Sequence, residues 1–267
     1  MGEFGWIQGR NVEIVTRVVE NRPQVVALAF ELARAEVDLI LVFGSGPTGG
    51  ARMVTTTIPI VFSIRDDPVE WGLVSSLARP GANLTGFAIP SYDDKLLEIL
   101  KEVITPPLLV AYPMFEPYPK IERAARDLGM RVLGIQMAGV DVATDVGPFY
   151  AAARKAGAGA IMVNEHPAFT AQLERFAIEA TTHGLPAIAY APQFAEAGGL
   201  IAYAPNQARE FKTVAGMINK IFKGAKPADL PVELATTFDL VINLRTAKAL
   251  GIAIPRLLLL RATQVIQ

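Results

Sequence analysis

Residues Ile58–Gly72 read IPIVFSIRDDPVEWG, and the change of character midway through this stretch decides how the chain is folded. Ile58 to Ile64 is a nearly unbroken apolar run, as a parallel strand covered on both faces requires. Polarity arrives abruptly at Arg65. Asp67 followed by Pro68 suits a helix N-cap and the first helical position, and Glu70 stands where a capping box places its acid. One of the two adjacent carboxylates therefore has a structural task. Asp66 has none, and in an open parallel sheet the carboxyl end of a strand is where ligands sit.

Working outward, strand-like and helix-like segments alternate along the whole chain, which points to α/β architecture with parallel sheets wrapped by helices. Before the opening stretch, Asn11–Val18 and Val37–Phe43 read as strands around a helix at Pro23–Ala35, followed by the glycine-rich turn GSGPTGG (Gly44–Gly50) and a short helix. After it come a helix near Val69–Ala78 and the strand Asn83–Ile89. The alternation then restarts. A helix to about Ile104 leads into PLLVAYPM, with strands at Arg131–Gln136, Ala158–Asn164, Leu185–Tyr190 and Leu200–Tyr203 and helices such as Tyr118–Leu128 and Thr170–His183 between them. The helix Ala208–Lys223, the linker GAKPADLP, a strand FDLVIN and a helix TAKALG close the pattern. The expected organisation is two doubly wound, Rossmann-like lobes. Residues 1–90 form the amino-terminal lobe, to which 206–230 returns; residues 91–205 form the carboxy-terminal lobe, and 231–267 is a last crossing of open assignment. Two such lobes joined by several crossings leave a cleft facing strand ends, a natural ligand trap.

Composition narrows the function. The 267 residues are 51% hydrophobic, enough for a core near the size at which one divides into two. A net charge of −1 and a pI near 6.2 supply no electrostatic footprint for nucleic acid or an anionic membrane. With no Cys, disulfides, thiolate catalysis and Cys-ligated metals are excluded. Two separated histidines, His166 and His183, make no metal site. No apolar run approaches the roughly 20 residues of a membrane span, since Leu257–Leu260 lies between Arg256 and Arg261. Direct membrane insertion is not expected. The opening MGEFGWIQGRN lacks a basic region followed by an apolar core, so it does not read as a signal peptide.

Three segments carry a resemblance that covers the chain in order: TTTIPIVFSIRDDPVEWGLVSSLARPGANLTG (Thr55–Gly86), LPAIAYAPQFAEAGGLIAYAPN (Leu185–Asn206) and KGAKPADLPVELATTFDLVINLRTAKALGIAIP (Lys223–Pro255). They closely resemble ABC-transporter substrate-binding proteins of the aromatic-amino-acid-binding (tryptophan/tyrosine) type. The resemblance implies a type I periplasmic-binding-protein fold, a hinge of more than two crossings, no catalysis and no cofactor. It further implies a periplasmic location and delivery of a small-molecule solute to an ABC permease in the inner membrane, with closure of the lobes as the signal. In relatives, the segment resembling EFGWIQGRN ends a first helix that follows a first central strand. The resemblance thus implies that this chain lacks that strand and helix, leaving unpaired edges in the first sheet.

The candidate site residues carry two readings each. GSGPTG (Gly44–Gly49) fits G-x-G-x-x-G after a strand, with Asp66 about twenty residues on, so an NAD-type oxidoreductase using Gly44, Gly46 and Gly49 is the alternative reading. Read with the resemblance, the same loop meets a ligand's polar end through Gly46 and the hydroxyls of Ser45 and Thr48, with Ser63 nearby on the strand. Asp66 is either a solvated loop acid or partner of Arg65, or else the partner of a ligand ammonium. YPMFEPYP (Tyr112–Pro119) places Met114, Phe115, Glu116 and Tyr118 where relatives carry a small loop rich in Ser and Asn that holds a carboxylate. These bulky groups either pack or form an aromatic platform, and the ligand expected from them is an aromatic or largely apolar carboxylate, amide or amino-acid-like solute. Glu165 and His166 follow a strand end; His166 is either an exposed loop residue or a donor to ligand oxygen. Tyr190 and Gln193 stand at the next strand end, while Tyr203 and Asn206 lie near a crossing. No G-x-S-x-G elbow and no acid pair beside a His is present in the sequence.

Overall fold

The computed structural model describes residues 1–19, 21, 23–104, 109–137 and 145–267. Contacts divide it into a first unit of Met1–Ser91 with Pro205–Thr237 and a second of Tyr92–Ala204 with Phe238–Gln267. The chain accordingly passes from one unit to the other at Ser91–Tyr92, Ala204–Pro205 and Thr237–Phe238.

In chain order the first unit contributes α1 (Gln24–Arg34), β1 (Ile40–Phe43), α2 (Ser45–Val54), β2 (Ile60–Ile64) and β3 (Leu84–Ala88). The second supplies α3 (Asp93–Val103), β4 (Leu109–Met114), α4 (Pro119–Asp127), β5 (Arg131–Gln136), α5 (Gly147–Lys155) and β6 (Ala160–Val163). It continues with α6 (Pro167–Thr170), α7 (Leu173–Thr182), β7 (Ala187–Ala189), α8 (Pro192–Glu196) and β8 (Ile201–Pro205), whose last residue belongs to the first unit. The chain then returns to the first unit for α9 (Gln207–Phe222) and β9 (Glu233–Leu234), and ends in the second with β10 (Phe238–Asn243), α10 (Leu244–Ala249), α11 (Arg256–Arg261) and β11 (Gln264–Ile266).

The first sheet is four-stranded and parallel, in the order β1-β2-β3-β9. Every residue of β2 and β3 is buried, because apolar packing covers both faces. Ile60, Phe62 and Ile64 join Ala29 of α1 and Ala51 of α2 in one core, and the opposite face meets α9. That helix turns Val214, Met217, Ile218 and Ile221 inward, the spacing of a single helical face. β1 is different: Ile40 and Val42 are buried, whereas Leu41 and Phe43 are 39% and 53% exposed.

The opening stretch folds as expected up to its first turn and then departs. Asp67 Oδ1 accepts from the amides of Val69 (2.7 Å) and Glu70 (3.2 Å), so the cap forms. The helix near Val69–Ala78 does not. Gly72 takes φ 63, a conformation that ends helices and costs glycine little. Leu73 and Val74 then both return their amides to the Pro68 carbonyl and bury their side chains side by side.

Two further expectations are corrected. Asn11–Val18 is no strand; it makes an isolated bridge between Gln8 and Val12 and leaves Ile14 and Val18 60% and 73% exposed. An apolar run becomes a strand only where a ladder edge receives its amides, and among the described residues none does. GSGPTGG is no turn preceding a helix but the first two turns of α2 itself, entered through Gly44 at φ 95. Its poor helix propensity is overridden by packing, since Gly50 lies against Val25 of α1.

The second sheet is seven-stranded, in the order β11-β10-β8-β7-β6-β4-β5. Its pairs β4–β5, β4–β6, β6–β7, β7–β8 and β10–β11 are parallel. One core, with Phe149, Tyr150, Phe169 and Phe176, covers one face, and a second, with Leu96, Leu100, Ile121 and Leu258, covers the other. The strand expected at PLLVAYPM is described from Leu109, and its Pro107 and Leu108 lie outside the described residues. LLLL becomes part of α11 and leads into β11, an edge strand that the sequence reading did not anticipate. Among the described residues no helix is long and apolar enough to cross a membrane.

Candidate functional site

In the second sheet β4 is flanked by β5 on one side and β6 on the other. The connections leaving β4 and β5 therefore run in opposite senses, which makes the carboxyl ends of β4 and β6 the switch point at which open α/β sheets take ligands. Three expected residues lie beside it. Phe115, just beyond β4, meets the His166 ring at 4.8 Å and stacks on Phe169 at 5.4 Å and 15°. Phe115 is thus partly buried against the core and joins the two strand ends. Glu116 is exposed, and Glu165 is half-buried beside His166.

His166 caps α6. Its Nδ1 accepts the Ala168 amide at 3.2 Å, which places the proton of the neutral ring on Nε2. Burial pushes the His166 pKa below its ordinary 6.5, opposed by the negative charge of Glu116. The ring is therefore an uncharged N–H donor at neutral pH.

The other expected residues of this unit are distributed more widely. Tyr190 is buried, with its hydroxyl 2.7 Å from that of Thr170. Gln193 is exposed on α8. Met114 and Tyr118 pack on the opposite core from Phe115, so the YPMFEPYP segment does not present one continuous aromatic face. Tyr203 stacks on Phe238 at 5.0 Å and 7°, with Tyr92 edge-on to both. Asn206 caps α9 by accepting the Arg209 amide. His183, at the end of α7, has Nε2 3.4 Å from Glu179 and lies flat on Tyr150.

In the first unit the strand ends of β1 and β2 meet. The Ser45 hydroxyl donates to Asp66 Oδ2, so Asp66 pairs with Ser45. Arg65 comes within 4.0 Å of Glu210. Thr48 is fully buried and donates to the Gly44 carbonyl at 2.7 Å, which consumes its proton inside α2. Gly46 is exposed. Ser63 donates to Glu210 Oε1 at 2.6 Å, and Glu210 is only 4% exposed.

Glu210 and Asn164 are the polar residues of these strand ends that sequence reasoning did not select. Glu210 had a legible signal: it precedes Val214, Met217, Ile218 and Ile221 by four, seven, eight and eleven positions, which puts a carboxylate on the core face of its helix. Asn164 is the first residue beyond β6, and its Oδ1 is buried without a partner among the described residues.

The family model of the ABC transporter substrate binding proteins matches residues 2–266. The chain belongs to that family. Within it, a 103-residue stretch is 34% identical to the tyrosine-binding protein of Clostridioides difficile strain R20291, covering 38% of this chain and 30% of that relative's length. Among solved structures, a conserved domain protein from Vibrio cholerae O1 biovar El Tor superposes with a TM-score of 0.86 at 24% identity, over 99% of this chain and 90% of that one. The Streptococcus pneumoniae ABC domain in complex with L-Trp follows at 0.78 and 24%, over 92% and 84%. A ligand-free, open substrate-binding protein with adhesive properties from Clostridium difficile gives 0.72 and 24%, over 100% and 91%. These likenesses establish the periplasmic-binding-protein fold. Membership in a family of substrate-binding proteins leaves the NAD-type oxidoreductase reading without support. Among the described residues no group of His, Asp and Glu is arranged to hold a metal ion.

Proposed function

We propose that this protein is the solute receptor of an ABC importer, binding a small aromatic, amino-acid-like solute without chemical change and presenting it to a membrane permease outside the cytoplasm. Ligand contacts come from strand-end loops of each unit: Ser45, Gly46, Ser63 and Asp66 in the first, and Phe115, Glu116, Glu165, His166 and Gln193 in the second. Met114, Tyr118 and Tyr190 act from behind as packing, and Thr48 fixes the entry to α2. The observation that carries the reading is that an aromatic ring, Phe115, stands beside a neutral donor, His166, at the β4–β6 switch point. A largely apolar wall with a few placed polar groups is the usual character of a small-molecule site. The tyrosine-binding relative and the L-Trp complex support the aromatic, amino-acid-like class.

Thermal denaturation against L-tryptophan, L-tyrosine, aromatic acids lacking the amine, and NAD tests the reading. A ligand held by the native state alone raises the midpoint, by about 2.7 kcal/mol of stabilisation at a hundredfold excess over Kd. Stabilisation by an aromatic probe is the expected result. A rise with NAD alone, or with none of the probes, would reject the assignment.

A further inference from the structure

Asn164 is the first residue beyond β6, at the switch point where the ends of β4 and β6 lie side by side. Its Oδ1 is buried and receives no hydrogen bond among the described residues. Folded proteins keep few acceptors in that condition, because the lost hydration is not replaced. The Tyr112 hydroxyl is also buried and unbonded, but it lies within the sheet against Gly134 of β5 rather than at a strand end. Asn164 is therefore distinguished by its position. Two residues on, His166 has committed Nδ1 to the Ala168 amide, leaving it only a donor to offer. Along this rim the chain supplies an N–H donor at His166 and an open acceptor at Asn164.

We infer that Asn164 is a specificity-determining residue whose Oδ1 accepts a hydrogen bond from the ammonium group of the solute. This rests on the solute-receptor reading above and adds to it the residue that distinguishes an amine-bearing ligand from its deaminated counterpart. A carboxylate offers no proton to Oδ1, and an ammonium offers three. A ligand without the amine leaves the acceptor buried and unpaired, and such mismatches dominate discrimination in sites built around a hydrogen bond.

The test is calorimetric titration of the full chain with L-tryptophan, L-tyrosine, indole-3-propionate and 3-(4-hydroxyphenyl)propionate. The wild type is expected to prefer each amino acid over its deaminated partner by about tenfold or more. Asn164→Ala should weaken amino-acid binding by about 10- to 100-fold and leave the deaminated acids within about threefold. Asn164→Asp, which keeps an acceptor, should retain the preference. Equal losses for both ligand types, an unchanged preference in Asn164→Ala, or loss of the preference in Asn164→Asp would each overturn the assignment while leaving the receptor reading intact. The ligand-free melting point of Asn164→Ala should stay within about 2 °C of wild type, because the oxygen has no partner among the described residues to lose. A fall beyond about 5 °C marks a structural residue and also overturns it. If the wild type binds none of the four probes, the receptor reading for aromatic solutes fails, and this assignment with it.

Discussion

Ser63, at the carboxyl end of β2, donates a 2.6 Å hydrogen bond to Glu210, which lies 147 residues further along the chain in the first turn of α9. The contact fastens the returning helix to the sheet that the first 90 residues build. A carboxylate only 4% exposed persists there because it has this hydroxyl, the Arg65 guanidinium at 4.0 Å, and the positive end of its own helix. Replacing it by leucine leaves the Ser63 hydroxyl buried without an acceptor, and we expect urea denaturation to show a loss of about 2–4 kcal/mol. Glu210→Gln keeps an acceptor oxygen and should lose about 1 kcal/mol. A double-mutant cycle of Glu210→Ala with Ser63→Ala should give a coupling of about 1.5–3 kcal/mol, as for a charge-assisted bond. Additive effects would show that the pair does not hold α9 in place.

How far the sequence foretold this arrangement differs from residue to residue. The apolar run before Arg65 announced β2 because burial on both faces leaves no alternation to misread. The same logic misled at Asn11–Val18, where Ile14, Val15 and Val18 form a strand-like pattern but remain exposed. Composition reports what a segment would bury, and the partner edge that decides the outcome is set elsewhere in the chain. Glu210 could have been read from helical periodicity. That its partner is Ser63 could not, since nothing in the intervening residues encodes the return of α9 to β2. For Asn164 the residue type was visible at a strand end, but that its Oδ1 lacks a partner among the described residues emerges only from the folded arrangement.

Asp67 caps a single turn, so its contribution should be local. Asp67→Ala removes the acceptor of the Val69 and Glu70 amides and should lower stability by about 0.5–2 kcal/mol. Asp67→Asn, which retains Oδ1, should recover most of that loss. Because the turn places Leu73 and Val74 in the core of the first unit, hydrogen exchange in Asp67→Ala should rise first at the amides of residues 69–74. Protection there equal to wild type would show that Gly72 and the buried pair fix the turn without the cap.

Gly86, in the middle of β3, lies directly against Phe62 of β2. A Cβ at this position would overlap the Phe62 carbonyl oxygen and ring, and a backbone oxygen in a paired strand has no rotamer by which to withdraw. We expect Gly86→Ala to cost about 1–3 kcal/mol through strain, although alanine is otherwise no worse than glycine in a strand. Gly46→Ala provides the control, since nothing lies within 4 Å of a Cβ there. Thermal denaturation should show a clear fall in the midpoint for the first variant and an unchanged or slightly higher one for the second.

His166 should make stability depend on pH with a definite sign. Burial lowers its native pKa below 6.5, more than the Glu116 carboxylate raises it, and protonation of Nδ1 would also break the bond from Ala168. Between the lowered native value and 6.5 the unfolded chain binds the proton and the folded chain does not, so stability rises with pH across that window. The contribution is complete above 6.5 and is lost as pH falls through the native pKa. His166→Asn keeps a side-chain acceptor for the Ala168 amide but cannot titrate, and its stability should fall less steeply than wild type on acidification from pH 7 to 5. Proton NMR should locate the His166 titration below 6.5. A midpoint above that value would show that Glu116 dominates over burial and would reverse the sign of the pH dependence.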